Sequence, residues 1–375
     1  MEGILVILRN IFITFLIVPS AFAILCKNYQ RDMDYSANID SNIVFESSGI
    51  SSSYDFPSKR QYHINDSGSG ATFHVFFNSG IEFIGDRQIG KANDENGIRL
   101  PESVQIERGS AEDVEAINVG PCLPKEISVD EKPEGCIFLG DIGNNTLNRA
   151  NLKIFIVAEK KEYKNLVKDK LTINFSYGPD DKDEVDHNAE AMMVHPVTGD
   201  IYLITKRTNP DPDKAVDGDI NPRIYRLKRK HYEQSSGEVD VVFKHVRTIK
   251  IKAVFKEITK TKKSKKSKKS KKIRKQLKKY LVTDADFSPD GEKFAVIGLG
   301  GIVEFDSKVL DKKMKISSDL FNYIPSTVAP VLEQQEAITY SSDGGSLFYT
   351  SEKKHGPDKT AADGDPVEVI KLDCK

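Results

Sequence analysis

The sequence predicts an all-β chain folded as a single β-propeller. Three observations carry this expectation. Short β-rich runs recur, bounded by Gly, Asp, Asn and Pro. A strand–turn–strand–loop–strand unit repeats. Cysteines stand at the two ends of the body, as Cys26 and Cys374.

The runs include Thr72–Phe77, Cys136–Leu139, Lys153–Val157, Asp200–Thr205, Arg223–Leu227, Lys293–Ile297, Gly301–Phe305 and Ser346–Thr350. Many alternate apolar with polar residues, the period of a half-buried strand. No long amphipathic helix is read. The repeat is clearest from its starts. Glu115-Ala116-Ile117, Glu190-Ala191-Met192, Ala285-Asp286-Phe287 and Glu336-Ala337-Ile338 each precede an apolar run. Thr198-Gly199, Asp290-Gly291 and Asp343-Gly344 sit at the first turn of the later units, where glycine takes a positive φ without steric cost. A unit of about 40–50 residues is the length of a propeller blade. The body, without its basic insertion, runs to about 300 residues and admits six or seven blades; six are expected, with seven as the alternative. Two packed sandwiches are the competing all-β arrangement.

Residues 1–23 read as a secretory signal: Arg9, an apolar run from Ile11 to Val18, and small residues ending at Ala23. Residues 24–55 are polar and serine-rich and read as a loosely ordered leader; 56–375 form the propeller. An exported chain meets an oxidising compartment, so its four cysteines are expected to pair as Cys26–Cys374 and Cys122–Cys136. The first pairing requires a fold whose ends meet, which a propeller provides. Of three sequons, Asn174-Phe175-Ser176 is the expected glycan acceptor, because Asn65 and Asn144 lie in motifs assigned to the propeller axis.

The formal net charge of −1 conceals a segregated distribution. Residues 260–279 hold 13 basic side chains and no acid, which leaves 42 basic against 56 acidic elsewhere, or −14. The insertion at 257–279 repeats Lys-Lys-Ser through Lys262, Lys263, Lys265, Lys266, Lys268, Lys269, Lys271 and Lys272. Like charges at this density are expected to stay extended and disordered. Outside the cell such an arm would meet sulfated glycans or acidic matrix components, with salt-dependent binding. The export signal argues against a nucleic-acid partner, and no membrane association is expected once it is removed. The protein is expected to be a secreted, extracellular monomer.

Asp66, Glu115, Asp141, Glu190, Glu336 and Glu352 fall at equivalent strand ends, with Asn145 beside them. Carboxylates converging on one axis repel unless Lys206 or a cation intervenes. An oxygen-only set suits a hard divalent ion such as Ca²⁺. The same residue types also cap turns. No nucleophile elbow, phosphate loop or Cys-x-x-Cys motif is present, and no catalytic residue is assigned.

The motif order Asn65-Asp66-Ser67-Gly68, Asp113-Val114-Glu115-Ala116-Ile117, Gly140-Asp141-Ile142-Gly143-Asn144-Asn145, Ala189-Glu190-Ala191-Met192, Ser288-Pro289-Asp290-Gly291 and Gln335-Glu336-Ala337-Ile338 resembles a group of secreted, mostly bacterial β-propeller proteins. The resemblance covers about residues 60–352. It implies the propeller and export, and no agreed activity. Val114 stands where that group carries an aromatic, and the Lys/Ser insertion is foreign to it. In style, an acidic body with a Lys/Ser arm is also similar to skeletal or shell organic matrix proteins. The function expected from these readings is a binding or scaffolding component of extracellular, mineral-associated matrix. The alternative is a metal-dependent hydrolase of lactone or ester type.

Overall fold

The computed structural model describes residues 25–77, 82–89, 102–122, 135–178, 187–207, 221–249, 281–351 and 367–375, apart from short gaps inside these ranges. Residues 1–23 and the insertion 257–279 lie outside them. Apart from 3-10 turns such as Arg229–His231 and Ser307–Leu310, the regular structure described is strand.

Among the described residues, most strands group into five antiparallel four-stranded units, and Glu82–Ile84 pairs separately with Arg87–Ile89. Unit 1 is Ser47–Ser52, Arg60–Asn65, Thr72–Phe77 and Glu102–Ile106. Unit 2 is Val114–Pro121, Gly135–Asp141, Lys153–Ala158 and Leu171–Tyr177. Unit 3 is Asn188–Val194, Ile201–Arg207, Arg223–Leu227 and Gly237–Thr248. Unit 4 is Val282–Phe287, Lys293–Gly298, Gly301–Asp306 and Phe321–Ile324. Unit 5 is Gln335–Tyr340, Ser346–Ser351, Val367–Cys374 and, from the start of the chain, Tyr29–Arg31.

Period-two alternation explains the packing. Strands buried on both faces send odd and even side chains into two different cores. In unit 2, Phe138 and Ile154 pack against Met192 and Leu203 of unit 3. Ile137, Leu139 and Phe155 pack the other way, against Tyr62, Phe73 and Val75 of unit 1. Units 3 and 4 share Met193, Ile204, Phe294 and Phe305. Units 4 and 5 share Ile297, Ile338 and Tyr349. Units 5 and 1 share Phe348, Val369, Ile50 and Phe76. The cores close in a cycle, and the first strands of successive units are neighbours all the way round, that of unit 5 lying beside that of unit 1. This is a propeller-like ring.

The structure describes five such units, where the sequence suggested six. The closed cycle of first strands leaves no place between units 5 and 1 for another. Dividing body length by blade length overcounted because units 1 to 3 each span about 60 residues, from 47 to 106, 114 to 177 and 188 to 248. The serine-rich leader is corrected as well. Ser47–Ser52 is the buried first strand of unit 1, and Tyr29–Arg31 and Ala37–Ile39 both pair with Val367–Cys374. Small hydroxyl side chains suit that strand because neighbouring backbones approach closely. A Cβ on Gly49 would lie 3.0 Å from the Ile117 nitrogen.

Both expected disulfides are present. Cys26 and Cys374 are bonded with Cα atoms 5.7 Å apart, and Cys122 and Cys136 with Cα atoms 4.6 Å apart. The turns read from Thr-Gly and Asp-Gly have Gly199, Gly291 and Gly344 at φ of 70°, 71° and 71°. Arginines fasten adjacent units through backbone carbonyls. Arg60 donates to Lys160 and Lys161, Arg229 to Cys122, and Arg247 to Val309, Asp311 and Met314.

Candidate functional site

Every first strand carries a β-bulge at the same position. The register skips Ser48 in unit 1, Glu115 in unit 2, Glu190 in unit 3, Thr283 in unit 4 and Glu336 in unit 5. A bulge re-aims one side chain out of the ladder. Here the re-aimed side chains meet. Ser48 Oγ donates to Glu115 Oε2 at 2.9 Å, and Lys206 Nζ lies 2.9 Å from Glu190 Oε2 while feeling the charges of Glu336 and Glu115. Burial alone would lower the Lys206 ammonium, but these glutamates hold it above the ordinary lysine range.

Asp66 follows the second strand of unit 1, and Asp113 precedes the first strand of unit 2. With Glu115 they bring one carboxylate oxygen each within 4.8 Å of one another. Burial pushes the Glu115 carboxyl well up, assisted by Glu190, Asp66 and Asp113. Asp113 is pushed up to about 6, by burial and then by Asp66 and Glu190. The loop after the second strand of unit 2 wraps this cluster. A Cβ on Gly143 would meet Asp113 Oδ2 at 2.3 Å and Glu115 Cγ at 2.8 Å, so only glycine fits.

The remaining sequence-assigned residues brace this arrangement. Asp141 Oδ1 accepts from the Glu112 and Asp113 amides at 3.2 and 2.9 Å and from Arg149 Nη2 at 2.7 Å. Asn145 Oδ1 accepts from Asn188 Nδ2, which also donates to Glu190 Oε1 at 2.8 Å. Glu352 and Lys262 to Lys272 lie outside the described residues. Asp113, Asn188, Ser48 and Arg149 were not singled out from the sequence. Asp113 and Asn188 carried a usable signal, since each stands two residues before a bulge glutamate. Of the sequon asparagines, Asn65 and Asn144 are buried, and Asn174 is half-buried with its amide donating to Asp240 Oδ1 at 3.2 Å.

A polar layer crosses the ring beyond the carboxylates. Asn118 accepts from the Val194 amide at 2.9 Å and donates to Asp286 Oδ1 at 3.0 Å. Asp286 Oδ2 accepts from Thr339 Oγ1 at 2.8 Å and the Tyr340 amide at 3.0 Å, and Thr339 Oγ1 accepts from the Ser52 amide at 3.0 Å. One chain of bonds thus joins all five first strands. The side chains of this layer, Asn118, Asp286 and Thr339, are polar and hydrogen-bonded.

His74 and Ser103 form a 3.0 Å contact with the wrong wiring for a nucleophile. Asn65 Oδ1 accepts from the Glu46 amide, so its Nδ2 is the donor toward His74 Nε2. The His74 proton therefore sits on Nδ1 and is given to Ser103. Burial holds this imidazole down at about 4, so it stays neutral.

The raised acids carry a pH dependence. A carboxyl whose pKa is higher in the folded state favours folding below the ordinary carboxylate range, and that contribution is lost as pH rises through about 6. In chelator-treated protein the unfolding free energy from urea titration is expected to fall between pH 5 and 7, by about 1 kcal/mol after solvent screening of Asp113. Asp113→Asn is expected to flatten that fall; an unchanged slope would count against the assignment.

No protein-family model matches the sequence, and no curated protein matches it. Solved structures do resemble it at low identity. The luciferin-regenerating enzyme is 10% identical, with 92% of this chain and 95% of that one covered and a TM-score of 0.39. The PQQ-bound aldose sugar dehydrogenase from Streptomyces coelicolor is 8% identical over 92% of this chain and 98% of that one, with a TM-score of 0.37. A 6-phosphogluconolactonase, so named provisionally, from Bacteroides uniformis is 12% identical over 82% and 64%, with a TM-score of 0.32.

Proposed function

We propose that this is an exported protein that holds a hard divalent cation at the axial mouth and acts there as a hydrolase of esters or lactones. The observation that carries the reading is the convergence of Asp66, Asp113 and Glu115 within 4.8 Å around a cradle that only Gly143 leaves open. An all-oxygen donor set of this kind matches Ca²⁺ or Mg²⁺ chemistry. A bound cation of that class supplies Lewis acidity toward a carbonyl oxygen and toward water. Asp113 is half-buried, and without a cation burial, Asp66 and Glu190 push its carboxyl up to about 6; a bound cation would hold it ionised as a ligand. Lys206 keeps Glu190 fixed, and the polar layer of Asn118, Asp286 and Thr339 lies across the ring beyond the carboxylates. The two disulfides fit an extracellular setting, and among the described residues no helix is long and apolar enough to cross a membrane.

Calcium at a hundredfold excess over its dissociation constant is expected to stabilise the protein by about 2.7 kcal/mol. A chelator should reverse this, and Glu115→Gln should abolish it. A melting curve indifferent to Ca²⁺, Mg²⁺ and chelator would remove the cation. Hydrolysis of a panel of aryl esters and lactones, lost in Asp113→Asn, tests the activity separately.

The charge distribution favours a second reading, a matrix-binding component. The sequence combines the Lys/Ser run from Lys262 to Lys272 with a remainder of formal charge −14, and the run suits an extracellular polyanion. Heparin retention that vanishes when 260–279 are deleted supports it.

A further inference from the structure

Glu304 lies in the third strand of unit 4, 278 residues from the cysteine it touches, and is fully buried. Its Oε2 accepts the Cys26 amide at 2.8 Å. Its Oε1 accepts the Tyr29 and Tyr340 hydroxyls, both at 2.8 Å, and lies 3.1 Å from Lys293 Nζ. Asn322 Nδ2 donates to the Cys26 carbonyl. Beyond this point the segment runs as a strand beside the C-terminus, with Tyr29 opposite Cys374, and the Lys375 amide donates to the Asn28 carbonyl at 3.0 Å. The backbone of Cys26 is therefore held at both its N–H and its C=O by groups that owe nothing to sulfur.

A buried carboxylate is costly unless its lone pairs are filled. Without the N-terminal segment Glu304 would lose two of its four partners. Docking the segment restores them, which gives the chain a strong, position-specific reason to bring residue 26 to unit 4. Burial and Glu304 push the Tyr29 and Tyr340 hydroxyls far up, so both remain donors.

We propose that Glu304 is a docking post that fixes the N-terminal segment before the bridge forms, and so selects Cys374 as the partner of Cys26. The oxidant is glutathione disulfide. The Cys374 thiolate displaces one glutathione thiolate to give a mixed disulfide. The Cys26 thiolate then attacks the Cys374 sulfur and releases the second. Two protein thiols are oxidised, one glutathione disulfide is reduced to two thiols, and the two cysteine protons pass to them.

The test is hydrogen exchange on full-length C26S/C374S. The amide of residue 26 is expected to exchange at least about 100-fold more slowly than an unfolded amide. Adding Glu304→Ala should return it to the unfolded rate while Phe294 and Phe305 stay protected. If the alanine unfolds the chain, Glu304→Gln is read the same way. Free exchange at residue 26 in C26S/C374S overturns the proposal. So does a C26S/C374S chain that cannot fold, or protection that survives both Glu304 changes. In a glutathione buffer, reduced Glu304→Ala should also give Cys26 bridged to Cys122 or Cys136, where the parent gives Cys26–Cys374; faithful pairing in the variant overturns the selection step.

Discussion

Asp286→Ala is expected to lower the unfolding free energy by about 3–5 kcal/mol. Asp286 is buried on the axis and accepts from Asn118, Thr339 and the Tyr340 amide. Truncation leaves those donors without their acceptor in a place water does not easily reach. Each orphaned buried donor costs about 1–3 kcal/mol. The damage also spreads, because Asn118 and Thr339 carry the bonds onward to Val194 and Ser52. Losing Asp286 cuts the connection between unit 2 and units 4 and 5. Its carboxyl is pushed up to about 6, burial outweighing its hydrogen bonds, so the parent's advantage is expected to persist in mild acid. Urea unfolding of the two proteins side by side measures it. A loss below about 1 kcal/mol would mean that the layer is not a tie between units.

Gly143→Ala carries the second large effect. The added methyl would overlap Asp113 Oδ2 and Cγ, at 2.3 and 2.4 Å, and crowd Glu115. Either the loop or the carboxylates must move. The expected cost is about 1–3 kcal/mol of stability, with the calcium-dependent stabilisation lost. Because the clash is with Asp113 itself, it should largely disappear in an Asp113→Ala background. A double-mutant cycle therefore gives a coupling of about 1 kcal/mol or more. A Gly143→Ala protein that responds to calcium as the parent does would show that this cradle is not the cation site.

Much of the ring was legible because its signals are local. Thr-Gly and Asp-Gly turns need a positive φ, and Glu-Ala starts mark bulges. Ala116, Ala191 and Ala337, each following a bulge glutamate, are wholly buried. Unit 1 escaped notice because Ser48-Gly49-Ile50 stands where units 2, 3 and 5 have Glu-Ala-Ile or Glu-Ala-Met. Chemically the two strings differ, yet the bulge is the same. The strand Tyr29–Arg31 was unreadable for another reason: its partner is more than 340 residues away, and no local pattern announces it. At the site, the acids of the repeat were visible, but their division of labour was not. Whether an aspartate faces a neighbouring carboxylate, as Asp113 does, or an arginine, as Asp141 does, depends on loops that fold back from another strand.

The outermost strands of units 2 and 3 deserve one last consequence. Leu171–Tyr177 runs parallel to Gly237–Phe243 over seven paired positions, merging two sheets into one of eight strands, and Leu166–Val167 lies along the outer strand of unit 1. An open sheet margin offers its free amides and carbonyls to any passing chain and is a template for fibre growth. Where units 2 and 3 meet, those groups are already spent on one another, so intermolecular strand addition finds little to grip there.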